Sequence, residues 1–261
     1  MAAGERPPRP VGLGLMPMVV FVNPVREVRS FVRAALVVPV PRDHRETDAA
    51  FRRRRIVALV TLVVGAALLA AALRIPAGDP SFYLATAVLA VVWTVGGLLS
   101  GPLHLGRAHT RAGSDRARPV VQSLALGALL LTVFLAGGLL VSHVPALRDP
   151  VVRLLDHARL GSLPAIVLIT AANGVAEEIY FRGALYAAVG RRYPVLVSTA
   201  VYSLATAGSG IPLLVLAAAA LGLLTGLQRR VTGGILAPII THLIWSLGML
   251  LLLPVVLPTG G

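Results

Sequence analysis

The sequence predicts an all-α protein, a polytopic transmembrane helical bundle of about seven spans. Three observations carry that prediction. Hydrophobic residues make up 56% of the chain and charged residues only 13%, with a mean hydropathy of +0.82, whereas soluble domains hold roughly half apolar and about a quarter charged residues. The apolar residues fall in separate runs, most of them close to the about twenty residues that a helix needs to cross a bilayer. All 24 basic residues are arginines, and most stand beside those runs, where retention at the cytoplasmic face accounts for them. The net charge of +13 therefore speaks for membrane topology and against nucleic acid. The chain has no cysteine, which excludes a disulfide framework, a thiolate metal site and a cysteine nucleophile.

Residues 1–55 hold eleven arginines against five acids and read as a basic cytoplasmic tail, partly disordered. The apolar patch Leu13 to Val22 is too short to span, and no small-residue cleavage site follows it. An amphipathic segment around Val25 to Val38 suits the surface of anionic lipid. Seven runs then qualify as spans: Ile56 to Leu73, Phe82 to Leu99, Val120 to Val141, Ser162 to Glu178 and beyond, Pro194 to Ala207, Ile211 to Leu227, and Gly234 to Leu253. The fifth is short. Arginines 52–55, 107, 111, 116, 118, 182, 191, 192, 229 and 230 all fall on one side of such a bundle, which places the N-terminus in the cytoplasm. The other side receives the outer loop 143–160, with its nearly balanced charges, and an uncharged C-terminal tail, 254–261. No internal repeat is visible, so an inverted-repeat transporter is disfavoured. The spans within 56–160 carry no acid or histidine and read as a collar. The polar constellation lies in 161–253.

That constellation centres on Glu177-Glu178-Ile179-Tyr180-Phe181-Arg182-Gly183. Beyond residue 160 these two glutamates are the only acids, and an acid inside a membrane helix marks a functional site unless it is paired. On an α-helix Glu178 lies one turn before Arg182, the favourable order for an ion pair. Glu177 shares its face with Asn173 and Phe181 and has no local cation, which suits a general base. The alternative is a purely structural salt-bridge knot. His242 and Ser246 in the last span, and Tyr202 and Thr206 in the fifth, repeat the four-residue spacing, so three helices can each turn a polar pair inward. Gly222 and Gly226 have the small-residue spacing of close helix packing. Asp156 and His157 read as a solvated loop face, and His104 and His109 as lipid-contacting loop residues.

The glutamate pair with its trailing Phe-Arg-Gly resembles the EExxxR motif of the CPBP intramembrane proteases, the family of the type II CAAX prenyl endopeptidases and the Abi proteins. The resemblance covers about residues 160–253. It implies a membrane-embedded endopeptidase that opens toward the cytosol and acts on a peptide or membrane-anchored protein. By order, Tyr202 to Thr206 stands where the family carries FxxxH, and His242 to Ser246 where it carries HxxxN. Thr206 and Ser246 depart from the family's histidine and asparagine. The roles so implied are Glu177 as general base, Glu178 and Arg182 as its positioning pair, and His242 on the water or substrate. Ser246 and Thr206 are then hydrogen-bond donors to the oxyanion. Zinc enters by family resemblance alone, because a catalytic zinc takes three protein ligands and this constellation offers one histidine. The expected reaction is peptide hydrolysis by glutamate-activated water, with no metal assigned. The alternative is an inactive scaffold or immunity-type binding protein. Composition fits a bacterial inner membrane.

Overall fold

The computed structural model describes residues 23–42, 46–109 and 116–257. Among these the only extended pairing is one isolated bridge, and nine helices make up most of the rest. Helix α1 runs over residues 24–37, ending in a π-helical turn; α2 is Asp48–Ala72, α3 Ser81–Ser100, α4 Val120–Val141 and α5 Pro145–Leu160. Helix α6 is Leu163–Val189, α7 Pro194–Ala207, α8 Pro212–Thr232 and α9 Leu236–Val256. Six of them, α2, α3, α4, α6, α8 and α9, are long and apolar enough to cross a membrane.

The fifth expected span is α7, and its 14 residues extend only about 21 Å at 1.5 Å per residue, short of a hydrocarbon core about 30 Å thick. It packs along α8, with Leu196 and Leu204 exposed on its outer face. The fourth expected span does continue past Glu178, to a total of 27 residues.

Two loop readings need correction. Helix α2 starts inside the expected tail, at Asp48, where the Thr47 hydroxyl accepts the Ala50 N–H. Arg54 is therefore helical and buried, paired with Glu46 and within 3.3 Å of both Ser100 Oγ and the Pro102 carbonyl. The outer loop 143–160 is mostly helix α5, because Val151, Leu155 and Ala158 recur on one face. Leu155 packs there with Leu253 and Leu257. His157 is accordingly half-buried rather than solvated: its ring lies 4.2 Å from that of Phe82, and its Nε2 lies 3.1 Å from the Ile75 carbonyl. The patch Leu13 to Val22 and Arg111 fall outside the described residues.

The bundle closes around aromatic rings. Trp93 of α3 stacks on Tyr180 of α6 at 4.4 Å between centroids, and Phe181 bridges Trp93 and Tyr202. Gly65 of α2 makes room for the indole: a Cβ there would lie 2.2 Å from Trp93. Gly222 and Gly226 face α7, where side chains would meet Thr199 and Val195, as their spacing predicted. Helix α4 lies along α9 and α3 along α6, so the expected collar packs directly on the helix that carries the glutamates.

Candidate active site

Glu178 opens a π-helical stretch, Glu178–Leu185, within α6. Such widened turns are rare and recur at functional sites. Here every residue of it except Ile179 is buried, which only a helix surrounded by α2, α3, α7, α8 and α9 permits. The α-helical spacing assumed from sequence is thus not the local geometry. The pair it pointed to is present all the same: Arg182 Nη1 lies 3.0 Å from Glu178 Oε1, with both side chains buried.

The same carboxylate oxygen accepts a second group, His242 Nδ1 of α9, at 2.7 Å. Helix α9 thus meets α6 through His242 and Glu178. A neutral His242 that donates from Nδ1 keeps a lone pair at Nε2. Gly174, one turn before Glu178, leaves space beside that ring, since a Cβ on it would lie 3.7 Å from Nε2. His242 is seated by its neighbour Thr241, whose hydroxyl donates to the Ser123 carbonyl at 3.0 Å and accepts Gln228 Nε2 at 2.8 Å.

Glu177 points elsewhere, as adjacent residues on a helix must. Its Oε2 accepts the Tyr202 hydroxyl at 2.6 Å, and it makes no ion pair among the described residues. The Tyr202 ring in turn lies beneath the Arg182 guanidinium, 4.7 Å from centroid to Cζ, a cation–π contact. Three helices do converge, on Glu177, Glu178, Arg182, Tyr202 and His242. The other expected members stand further out. Asn173 donates to the Thr86 and Ile169 carbonyls and ties α6 to α3. Thr206 is buried and donates its proton to the Tyr202 carbonyl of its own helix, so it is not placed as an oxyanion donor. Ser246 Oγ is buried without a partner and lines an apolar cavity of about 510 Å³ between α4, α5, α6, α8 and α9, with Thr170 and Trp245.

Two features escaped the sequence. Arg229 of α8, read as a loop charge, is buried and donates from Nε to the Arg182 carbonyl at 2.7 Å. Its position just before the end of an apolar run was the available signal, but only the packing of α8 on α6 turns it inward. Second, none of the Arg182 guanidinium nitrogens makes an aligned hydrogen bond, and Glu178 Oε2 has no partner. Buried polar groups of this kind are normally satisfied by water or ligand.

As a zinc site the constellation does not fit. His242 Nδ1 is committed to Glu178, Glu178 Oε1 is shared with Arg182, and no three His, Asp or Glu side chains among the described residues gather around one point. Three protein ligands are the rule for catalytic zinc.

Residues 159–248 match the family model described as type II CAAX prenyl endopeptidase Rce1-like. Over that segment the chain is similar to the CAAX protease family. The matched segment is about a third of the chain's length and contains every residue of the constellation. No curated protein and no solved structure matches it. The Rce1-like family is one of protease-type enzymes, and the six long apolar helices fit an integral membrane protein.

Proposed function

We propose that the protein is an intramembrane endopeptidase that hydrolyses a peptide bond with water activated by Glu177. The observation that carries this reading is the contrast between the two adjacent glutamates. Glu178 is paired with Arg182 and accepts a hydrogen bond from His242, whereas Glu177 has a single hydrogen-bond donor, the Tyr202 hydroxyl, and keeps a second oxygen for water.

In this mechanism Glu177 takes a proton from water as its oxygen attacks the scissile carbonyl carbon. The proton then passes to the leaving amine as the C–N bond breaks, so one carboxylate serves both halves of the reaction. Glu178 orients the His242 ring through Nδ1, leaving the Nε2 lone pair to accept a hydrogen bond from the water. Tyr202 positions Glu177 with its one hydroxyl proton, and Thr206, whose proton is on the Tyr202 carbonyl, is no oxyanion donor in this geometry. Ser246 is the remaining hydroxyl donor.

The arginine-rich connections support a cytosolic opening. Glu178 lies eleven residues before the end of α6 and His242 six after the start of α9, which puts both within about 9–16 Å of that end at 1.5 Å per residue. A peptide or membrane-anchored protein presented near the cytosolic leaflet of a bacterial inner membrane is the substrate class this placement favours, with 161–253 as the catalytic block.

The test compares protein N-termini across the membrane and secreted proteome of cells carrying wild type, Glu177→Gln or no protein, at matched abundance. New N-termini confined to wild type are the expected result. A second reading, a non-catalytic binding protein, is favoured by one observation, the engaged threonine at the family's histidine position. It predicts that Glu177→Gln behaves as wild type.

A further inference from the structure

At the arginine-rich end of the bundle a second cavity of about 1040 Å³ opens between the strand-like segment after α1, the α3–α4 connection and the α8–α9 turn. Arg42, Arg107, Arg116, Arg118 and His104 line it, and no Asp or Glu does among the described residues. Its walls are stapled by backbone hydrogen bonds. Arg107 N–H donates to the Thr232 carbonyl at 2.9 Å, Ile235 N–H to the His104 carbonyl at 2.9 Å, and Val40 N–H to the Val231 carbonyl at 2.9 Å.

The charges are held together against their repulsion. The antiparallel bridge between Ala108 and Ala117 sets Arg107 opposite Arg118, and like charges across such a pair are destabilising. Burial, and then the positive charge of Arg229 and Arg54, against Glu46, holds His104 below the usual histidine value. A rigid concavity that concentrates positive charge favours an anion with several acceptor oxygens.

Helix α1 says where that anion resides. Val25, Val28 and Val32 form one stripe, 74%, 63% and 40% exposed, while Arg26, Arg29 and Arg33 form the adjoining one. A helix so divided lies in the plane of a membrane interface. Its trailing segment is tied to the end of α8, which lies beside the basin, by Arg230 donating to the Val37 carbonyl and Arg42 to the Arg230 carbonyl. The basin thus stands at headgroup depth.

We propose that this basin binds the phosphate of an anionic phospholipid at the arginine-rich membrane face. The inference is independent of whether Glu177 is catalytic.

The experiment uses the full chain in neutral detergent. Lipid retention is read by native mass spectrometry, and unfolding temperature is followed while short-chain phosphatidylglycerol, phosphatidylcholine or inorganic phosphate is added at constant ionic strength. Phosphatidylglycerol is expected to be retained and to stabilise, with phosphatidylcholine inert. Arg107→Gln/Arg118→Gln should weaken that binding roughly 25-fold, each surface arginine contributing several-fold. The control Arg148→Gln/Arg153→Gln, in α5 at the opposite end, should leave it unchanged. Lipid-free unfolding of both variants verifies that they fold. Equal loss in both double variants, or no loss in the first, overturns the site. Stabilisation by inorganic phosphate equal to that by phosphatidylglycerol overturns the lipid as its occupant.

Discussion

Replacing Arg182 by methionine tests the geometry most directly, because it needs no substrate. The guanidinium lies 3.0 Å from Glu178 Oε1 with both side chains removed from solvent. At that separation and an effective dielectric of about 20, two unit charges attract by roughly 5 kcal/mol. Desolvation opposes much of this, so the pair itself adds little. Breaking it from one side is different, because it strands a buried carboxylate at a cost of about 3–5 kcal/mol. Methionine retains an unbranched apolar stem beside the Tyr202 ring, which limits the packing loss. Against a total stability of about 5–15 kcal/mol, Arg182→Met should deplete the protein from membranes and lower its unfolding midpoint sharply. Glu178→Gln/Arg182→Met, with neither charge, should recover a large part of the loss. Unfolding of the four forms in mild detergent gives the coupling energy as a double-mutant cycle. A loss below about 1 kcal/mol for Arg182→Met, or strict additivity in the double variant, refutes a buried, coupled pair.

Three further outcomes follow from other parts of the structure. Tyr202→Phe keeps the ring against Phe181 and Arg182 but removes the donor to Glu177; a hydrogen bond to a charged group contributes about 1.5–3 kcal/mol to stability, so the unfolding midpoint should fall, and cleavage measured below that midpoint should fall as well, with KM little changed. Gly65→Ala drives a Cβ into the Trp93 indole, which Tyr180 stacks against from α6, and should cost about 1–3 kcal/mol of stability by overpacking, read as a lower unfolding midpoint. His104 has a folded value below that of the unfolded chain, through burial and the charges of Arg229 and Arg54, so the unfolded chain binds the extra proton. Stability is then full above the ordinary histidine range and declines as pH falls through it; unfolding midpoints at pH 7.5 and 5.5 should differ more for wild type than for His104→Gln.

Composition and periodicity settle much of this protein. Long apolar runs have no alternative to helix in a bilayer, because backbone groups there must be satisfied within the segment; six such helices are present among the described residues. The isolation of Glu177 and Glu178 in an apolar run likewise marks the candidate site. What the one-dimensional pattern could not carry was direction. It did not show that α6 widens into a π-helical stretch at Glu178, since that depends on burial against five neighbouring helices. It did not show that His242 meets Glu178 while Glu177 turns to Tyr202, nor that Thr206 bonds its own backbone. Arg54 and Arg229 read as loop charges because their partners, Glu46 and the Arg182 carbonyl, are contributed by segments whose proximity arises only on folding. Residue type and spacing determine which groups a membrane helix must hide or pair. Which partner each one finds is decided by the relative rotation of the helices, a property of tertiary packing alone.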